Sequence, residues 1–243
     1  LPEQKNSILV SKYYDSTAQW RLTYFDTLKA TPDDKLSFAL KCVKEFAILE
    51  EHILNKLIFD ANKIIELGCG VGRSIIHSMI AFPQKRFVGV DFAPIEIEFF
   101  KKQINNNNLK NSIAICSDVG NLPLCDNYFD LILICNQTFG NFLGKTRVDC
   151  FHEISRILKD NGKIMIGGYT NIELVEQFYK DWGVEIKNID YSSGFIELAN
   201  YNSYWQKEKD VNSEFEVYDF KCIESNYTTL GFVNIYIKMQ MKR

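Results

Sequence analysis

Much that would place this 243-residue chain in a specialised class is missing from it. No apolar run approaches the roughly eighteen residues a membrane-spanning helix needs, and the longest candidate, Leu131–Cys135, has the length of a strand. Basic residues are not in excess. The 28 Lys and Arg against 31 Asp and Glu leave a formal charge of −3, which argues against the basic stripe of a nucleic-acid binder. The seven cysteines are odd in number and scattered, with no Cys-x-x-Cys pair and no Cys/His cluster at zinc spacing, so no metal site and no disulfide framework are expected. The opening residues, Leu1 to Lys5, lack the basic-then-apolar pattern of a secretory signal. We therefore expect a cytoplasmic protein with reduced thiols and with neither membrane nor nucleic-acid partners.

What is present reads as one globular unit, 1–243, in three zones. The first, 1–57, is a helical cap. It opens with Tyr13, Tyr14, Trp20, Tyr24 and Phe25, after which Asp33 or Asp34 is expected to cap a helix. The apolar positions of that helix, from Leu36 and Leu40 through Val43, Phe46 and Ala47 to Leu57, fall mostly three and four apart. The second zone, 58–170, alternates short apolar runs (Lys63–Leu67, Phe87–Asp91, Ile113–Ser117, Phe129–Cys135, Lys163–Gly168) with helical patterns at about 72–82, 94–105 and 146–159. That alternation predicts an α/β fold, a Rossmann-like doubly wound and mostly parallel sheet with helices on both faces. The third zone, 171–243, is expected to cover a substrate. It reads as a helix at about 172–181, strands at Val184–Ile189, Phe195–Tyr201 and Ser203–Gln206, a helix at about 219–230 and a last strand, Phe232–Met241.

Chemistry concentrates where strands end. Ile64-Ile65-Glu66-Leu67 runs into Gly68-Cys69-Gly70-Val71-Gly72, three glycines at alternate positions that let backbone amides approach a ligand. A dinucleotide fingerprint would place its third glycine at position 73, which is Arg73. Glu66 also suits a ligand carrying positive charge better than a pyrophosphate. Asp91 closes the second strand nineteen residues past Gly72, where an acid can accept both hydroxyls of a ribose. Asp118 follows the third strand, so three carboxylates are expected along one rim.

With these residues in place, the stretch from about 62 to 170 resembles the class I S-adenosylmethionine (AdoMet)-dependent methyltransferases of small-molecule type. Glu66-x-Gly68-x-Gly70-x-Gly72 is similar to the family's first motif and Asp91 to its ribose-binding acid. Asp118-Val119 resembles the adenine-side pair, and Leu122-Pro123 followed by Tyr128-Phe129-Asp130 resembles the entry to the fourth strand. Arg156-Ile157-Leu158-Lys159 is similar to the family's turn before strand five, with Asp160-Asn161-Gly162 where Pro-Gly-Gly is usual. The resemblance implies AdoMet as cofactor. Gly68, Cys69, Gly70 and Gly72 would hold its methionine part, Glu66 its ammonium, Asp91 the ribose, Phe92 the adenine ring, and Asp118 with Val119 the adenine edge. Cys135 and Asn136 would pass beneath the sulfonium.

The segment Cys135-Asn136-Gln137-Thr138-Phe139-Gly140-Asn141-Phe142 resembles the "N-S-F-G-Y-F" loop of small-molecule members rather than the Asn-Pro-Pro-Tyr motif of nucleic-acid amino methylases. Asn136 and Thr138, with Tyr14 from a Tyr-Tyr-Asp-like opening segment, are the candidate catalytic residues. Phe139 and Phe142 read equally as core or as pocket. His52, His77 and His152 read as helix-face residues rather than bases. Tyr169, Tyr191, Tyr201, Tyr204, Trp20 and Trp205 are candidates for an aromatic lining that an amine acceptor would favour. The expected activity is methyl transfer to a nitrogen or oxygen of a small molecule. The alternatives are a non-catalytic AdoMet sensor or scaffold, a protein or peptide methyltransferase, and, more remotely, a nicotinamide-dependent dehydrogenase.

Overall fold

The apolar runs of the middle zone have no polar face to offer water, so they pair with one another and bury both sides. The computed structural model of the chain describes residues 24–239. In it β1 (Lys63–Leu67), β2 (Arg86–Asp91), β3 (Ser112–Cys116), β4 (Phe129–Ile134) and β5 (Leu158–Tyr169) are parallel neighbours in the order β3-β2-β1-β4-β5. β10 (Gly231–Lys238) continues the sheet antiparallel to β5, and β9 (Phe220–Tyr227) forms its edge. The strand order reverses between β1 and β4, and ligands settle in the crevice at such a switch point.

Helices cover both faces. On one lie α1 (Tyr24–Ala30), α2 (Phe38–Asp60), α3 (Ile76–Ala81) and α4 (Pro94–Asn106). On the other, α5 (Gly144–Ile157) packs Phe151 and Ile154 against Ile132, Ile134 and Ile164. The apolar stripe of α2 behaves as its spacing predicts, with Val43, Phe46, Ala47, Ile53, Leu54 and Leu57 buried. Its cap differs. Ser37 Oγ, not Asp33 or Asp34, accepts from Leu40 N at 3.1 Å, and the two aspartates sit in a separate 3-10 turn, Asp33–Lys35. The helix expected from residue 72 starts only at Ile76, since Gly72 turns the chain with φ +77°.

Past β5 come a 3-10 turn (Ile172–Leu174), α6 (Val175–Asp181), and an antiparallel three-stranded sheet of β6 (Ile186–Asp190), β7 (Phe195–Leu198) and β8 (Asn202–Tyr204). The helix expected at about 219–230 is instead β9, preceded by α7 (Glu208–Val217). From Phe220 onward exposure alternates residue by residue, a period of two that the aromatic and charged mixture disguised, whereas Val211 and Phe215 bury four apart in α7. Among the described residues no helix is long and apolar enough to cross a membrane.

Candidate functional site

The glycine loop leaves β1 and is tied to β2, with Gly68 N and Cys69 N both donating to Val90 O (2.8 and 3.0 Å). Gly68 (φ +70°) and Gly70 (φ +51°) sit in the left-handed region, and neither has room for a side chain. A Cβ at Gly70 would stand 2.5 Å from Glu96 Oε2, and one at Gly68 would strike the Thr138 methyl. Gly72 differs from its expected place. It does not line the crevice but presses on the Phe100 ring, packing the loop onto α4.

Asp91 is buried at the mouth of β2 and organises the loop. Its Oδ2 accepts from Gly70 N and its Oδ1 from Ala93 N, both at 2.9 Å. Phe92 follows at the wall, half-buried. Asp118, exposed, accepts from Gly120 N at 2.8 Å, and the buried Val119 extends the same rim. Opposite stand Phe142, Leu143 and Thr146. Together these residues enclose a cleft of about 1100 Å³ of non-atom space, open to solvent on one side.

The floor of the cleft is acidic and buried. Glu66 is 2% exposed, its Oε2 has no partner among the described residues, and burial pushes its carboxyl up to about 8 despite a bond to Ser74 and the nearby Arg73. Such a group is poised to ionise against an arriving cation. Cys69 and Cys135 also line the floor, and burial raises both thiols well above their ordinary range, so they stay protonated.

Asn136 and Gln137 end β4 with two consecutive left-handed residues, φ +53° and +64°. Each such non-glycine conformation costs about 1–3 kcal/mol, and it persists where surroundings over-determine it. They do so here. Asn136 N donates to Glu50 Oε1 at 2.8 Å and its Nδ2 to Ser74 Oγ at 3.2 Å, which turns Oδ1 away, buried and without a partner among the described residues. Gln137 Oε1 accepts from Tyr169 N, its Nε2 donates to Tyr204 O, and its own N–H reaches Gly167 O at 3.1 Å. Thr138 opens a 3-10 turn, Thr138–Asn141, at the cleft wall. Phe139 and Phe142 are both buried; Phe139 packs with Phe151 and Phe215 under the Arg147 guanidinium, and Phe142 also reaches the cleft.

Two participants escaped the sequence reading. Glu50 projects from the apolar stripe of α2, 4% exposed and pushed by burial to about 7. A carboxylate on the seam between Phe46, Ala47, Ile53 and Leu54 was the available signal. Arg73, which counted only as the residue breaking a dinucleotide fingerprint, lines the cleft and two smaller adjoining cavities. Tyr14, with Tyr13 and Trp20, lies outside the described residues. Of the expected aromatic set, Tyr169, Tyr201 and Trp205 gather with Phe178 and Tyr179, whereas Tyr191 is exposed and bonds Glu176 at 2.8 Å. His52, His77 and His152 are exposed on their helices.

A doubly wound sheet with a left-handed glycine loop after β1, an acid at the end of β2 and a polar turn after β4 is the arrangement that the resemblance to class I AdoMet-dependent methyltransferases implies. Residues 64–162 match the family described as methyltransferase domain. The chain carries that domain, and AdoMet is the cofactor its cleft takes. The two glycines without room for a Cβ and the orphaned Glu66 oxygen fit that ligand. Over 95 residues the chain is 33% identical to malonyl-(acyl-carrier protein) O-methyltransferase of Bacillus anthracis, covering 38% of this chain and 34% of that protein. The segments matched span less than half the length of the first curated relatives, two uncharacterized Rickettsia prowazekii proteins among them (43% and 18%). In fold, it is similar to 1,6-didemethyltoxoflavin-N1-methyltransferase of Burkholderia thailandensis (TM-score 0.68, 12% identity, 98% of this chain and 91% of that one). It is likewise similar to magnesium protoporphyrin IX methyltransferase of Synechocystis PCC 6803 (TM-score 0.65, 13% identity, 96% and 100%).

Proposed function

We propose that the protein transfers a methyl group from AdoMet to a nitrogen or oxygen of a small-molecule acceptor in the cytoplasm. Bound AdoMet supplies a methyl group on a sulfonium, and the transfer breaks S–CH3, forms N–CH3 or O–CH3, and releases S-adenosylhomocysteine and a proton. The chain's residues bind and orient. Backbone of Gly68, Cys69 and Gly70 receives the amino-acid end beside Glu66, Asp91 takes the ribose hydroxyls while holding Gly70, and Phe92, Asp118 and Val119 receive the adenine. Gly72 supports the loop from behind.

The observation that carries the acceptor assignment is the place of Asn136, which lines both the cofactor cleft and an adjoining cavity and whose amide is oriented by Ser74. A neutral amide oxygen there receives an N–H or O–H and aligns the lone pair opposite it, which is the positioning that methyl transfer needs most. Cys135 is a protonated thiol beneath that point and Thr138 props the glycine loop, so neither serves as base. The formal charge of −3 supports a small molecule over nucleic acid.

Incubation with AdoMet and a panel of small amines and hydroxyl compounds, reading S-adenosylhomocysteine release, tests the proposal. Turnover with at least one member supports it. AdoMet binding without turnover across the panel favours a sensor. Asn136→Ala is expected to lower kcat about tenfold, the worth of one hydrogen bond to the reacting group.

A further inference from the structure

The turn after β4 gives the cofactor cleft three of its lining residues, Thr138, Asn141 and Phe142. A 3-10 turn of four residues, Thr138–Asn141, has little internal bonding with which to hold a shape. Gly140 N donates to Gln137 O at 3.1 Å and Phe142 N to Phe139 O at 3.2 Å. The rest of its support comes from Arg147, one turn into α5 and 8% exposed. An arginine has five N–H donors, and here all five are used. Nη1 donates to Phe139 O at 3.1 Å and to Phe142 O at 3.4 Å. Nε and Nη2 donate to the two oxygens of Glu214 at 2.7 and 2.6 Å, and Nη2 also to Gln206 Oε1 at 2.6 Å. The guanidinium carbon stands 3.8 Å from the centroid of the Phe139 ring, which it covers.

A buried guanidinium is costly unless a counter-charge with good geometry meets it. Glu214 of α7 supplies that charge through two parallel bonds, the strongest arrangement an arginine makes. Glu214 and Gln206 belong to the stretch that follows β8, whose Tyr204 O accepts from Gln137 Nε2. The same stretch lies directly on the turn, since a Cβ at Gly140 would strike Tyr204 O and the Gln137 amide. The turn is thus clamped between α5 and residues 204–214. The two carbonyls that Arg147 grips bracket Gly140 and Asn141, and Asn141 lines the adjoining cavity as well as the cleft. Neither Arg147 nor Glu214 is among the residues that line the cleft.

We propose that Arg147, locked by Glu214, is a positioning residue for the cofactor. It holds the turn so that Thr138, Asn141 and Phe142 form one preformed wall of the AdoMet cleft. A wall already in place spares the ligand the work of ordering it, and affinity rises by that amount. The assignment rests on the AdoMet reading of the cleft and adds to it a determinant that does not touch the ligand.

Calorimetry with S-adenosylhomocysteine on the full chain, paired with urea unfolding, tests it. Arg147→Gln is expected to weaken binding about tenfold, and Glu214→Gln, which keeps the shape and deletes the counter-charge, about threefold. Because Glu214 acts through Arg147, the double variant should bind no more weakly than Arg147→Gln alone, whereas independent sites would multiply to about thirtyfold. Lys85→Met is the comparator. Lys85 is also 8% exposed and donates to three carbonyls, those of Ile58, Phe59 and Ala61, but it serves the end of α2 and does not line the cleft. That variant should lose stability and keep its affinity for S-adenosylhomocysteine. Unaltered affinity in folded Arg147→Gln, an equal loss in Lys85→Met, or multiplying losses in the double variant would each overturn the proposal. Should Arg147→Gln not fold, Glu214→Gln decides alone: weakened binding supports the proposal and unchanged binding overturns it. Failure of the wild-type chain to bind S-adenosylhomocysteine would overturn it together with the methyl-transfer reading.

Discussion

Asp91 illustrates how one side chain serves structure and ligand together. Because its carboxylate already receives Gly70 N and Ala93 N, its removal loosens the loop as well as deleting the ribose partner proposed above. Asp91→Ala is expected to weaken AdoMet binding by about 1.5–3 kcal/mol, the range for hydrogen bonds to a charged group, measurable by calorimetry. Gly70→Val meets two obstacles, a left-handed φ of +51° and Glu96 Oε2 at 2.5 Å from the new Cβ. AdoMet affinity should disappear in that variant, while circular dichroism reports a folded chain. The buried acids make a prediction of their own. Glu50 and Glu66 shift from 4.5 to about 7 and about 8, so the folded chain holds more protons than the unfolded chain between those values. Their contribution to stability is complete below about pH 4.5 and is lost as pH rises through 7 and 8. Urea unfolding of the ligand-free protein should therefore show falling stability from pH 5 to pH 8, and Glu66→Gln should flatten the slope.

Between elements, the turn after β4 acts as a junction. Glu50 ties α2 to Asn136, Ser74 ties the glycine loop to the same residue, and Gln137 ties β5 to β8. The cap helix and the small antiparallel sheet therefore meet at the point where the cleft and its smaller neighbouring cavity adjoin. Gln137→Ala removes the bridge and leaves buried backbone groups of Tyr169 and Tyr204 unmet, a cost of about 1–3 kcal/mol each. Hydrogen exchange in β6–β8 should accelerate in that variant, while exchange in β1–β4 changes little. Local patterns made many elements legible. β1, β2 and α4 follow their apolar runs within a residue or so, because a strand buried on both faces needs nothing but apolar length. β9 was not legible. An edge strand half-exposed along its length mixes Cys, Glu, Ser and Asn, and its partner β10 rather than its composition makes it a strand.

At the scale of the whole molecule, ligand and fold are linked by mass action. AdoMet at a hundred times its dissociation constant should stabilise the chain by about 2.7 kcal/mol, read as a rise in unfolding temperature, and Asp91→Ala should remove most of that rise at the same concentration. The residues 64–72, 91 and 118–119 were readable in the chain itself, because a glycine that turns a loop and an acid that ends a strand are local requirements, met within a few neighbouring residues. The sequence by itself therefore determined the doubly wound core, the cofactor, and the glycine loop and acids at the strand ends. Only the tertiary structure decided that Glu50 lies beneath Asn136, that Gly72 turns toward Phe100, and that Arg73 and Ser203, 130 positions apart, line one aromatic cavity. Those relations depend on how helices and the second sheet close over the strand ends, a packing of distant segments that no periodicity within any one of them encodes.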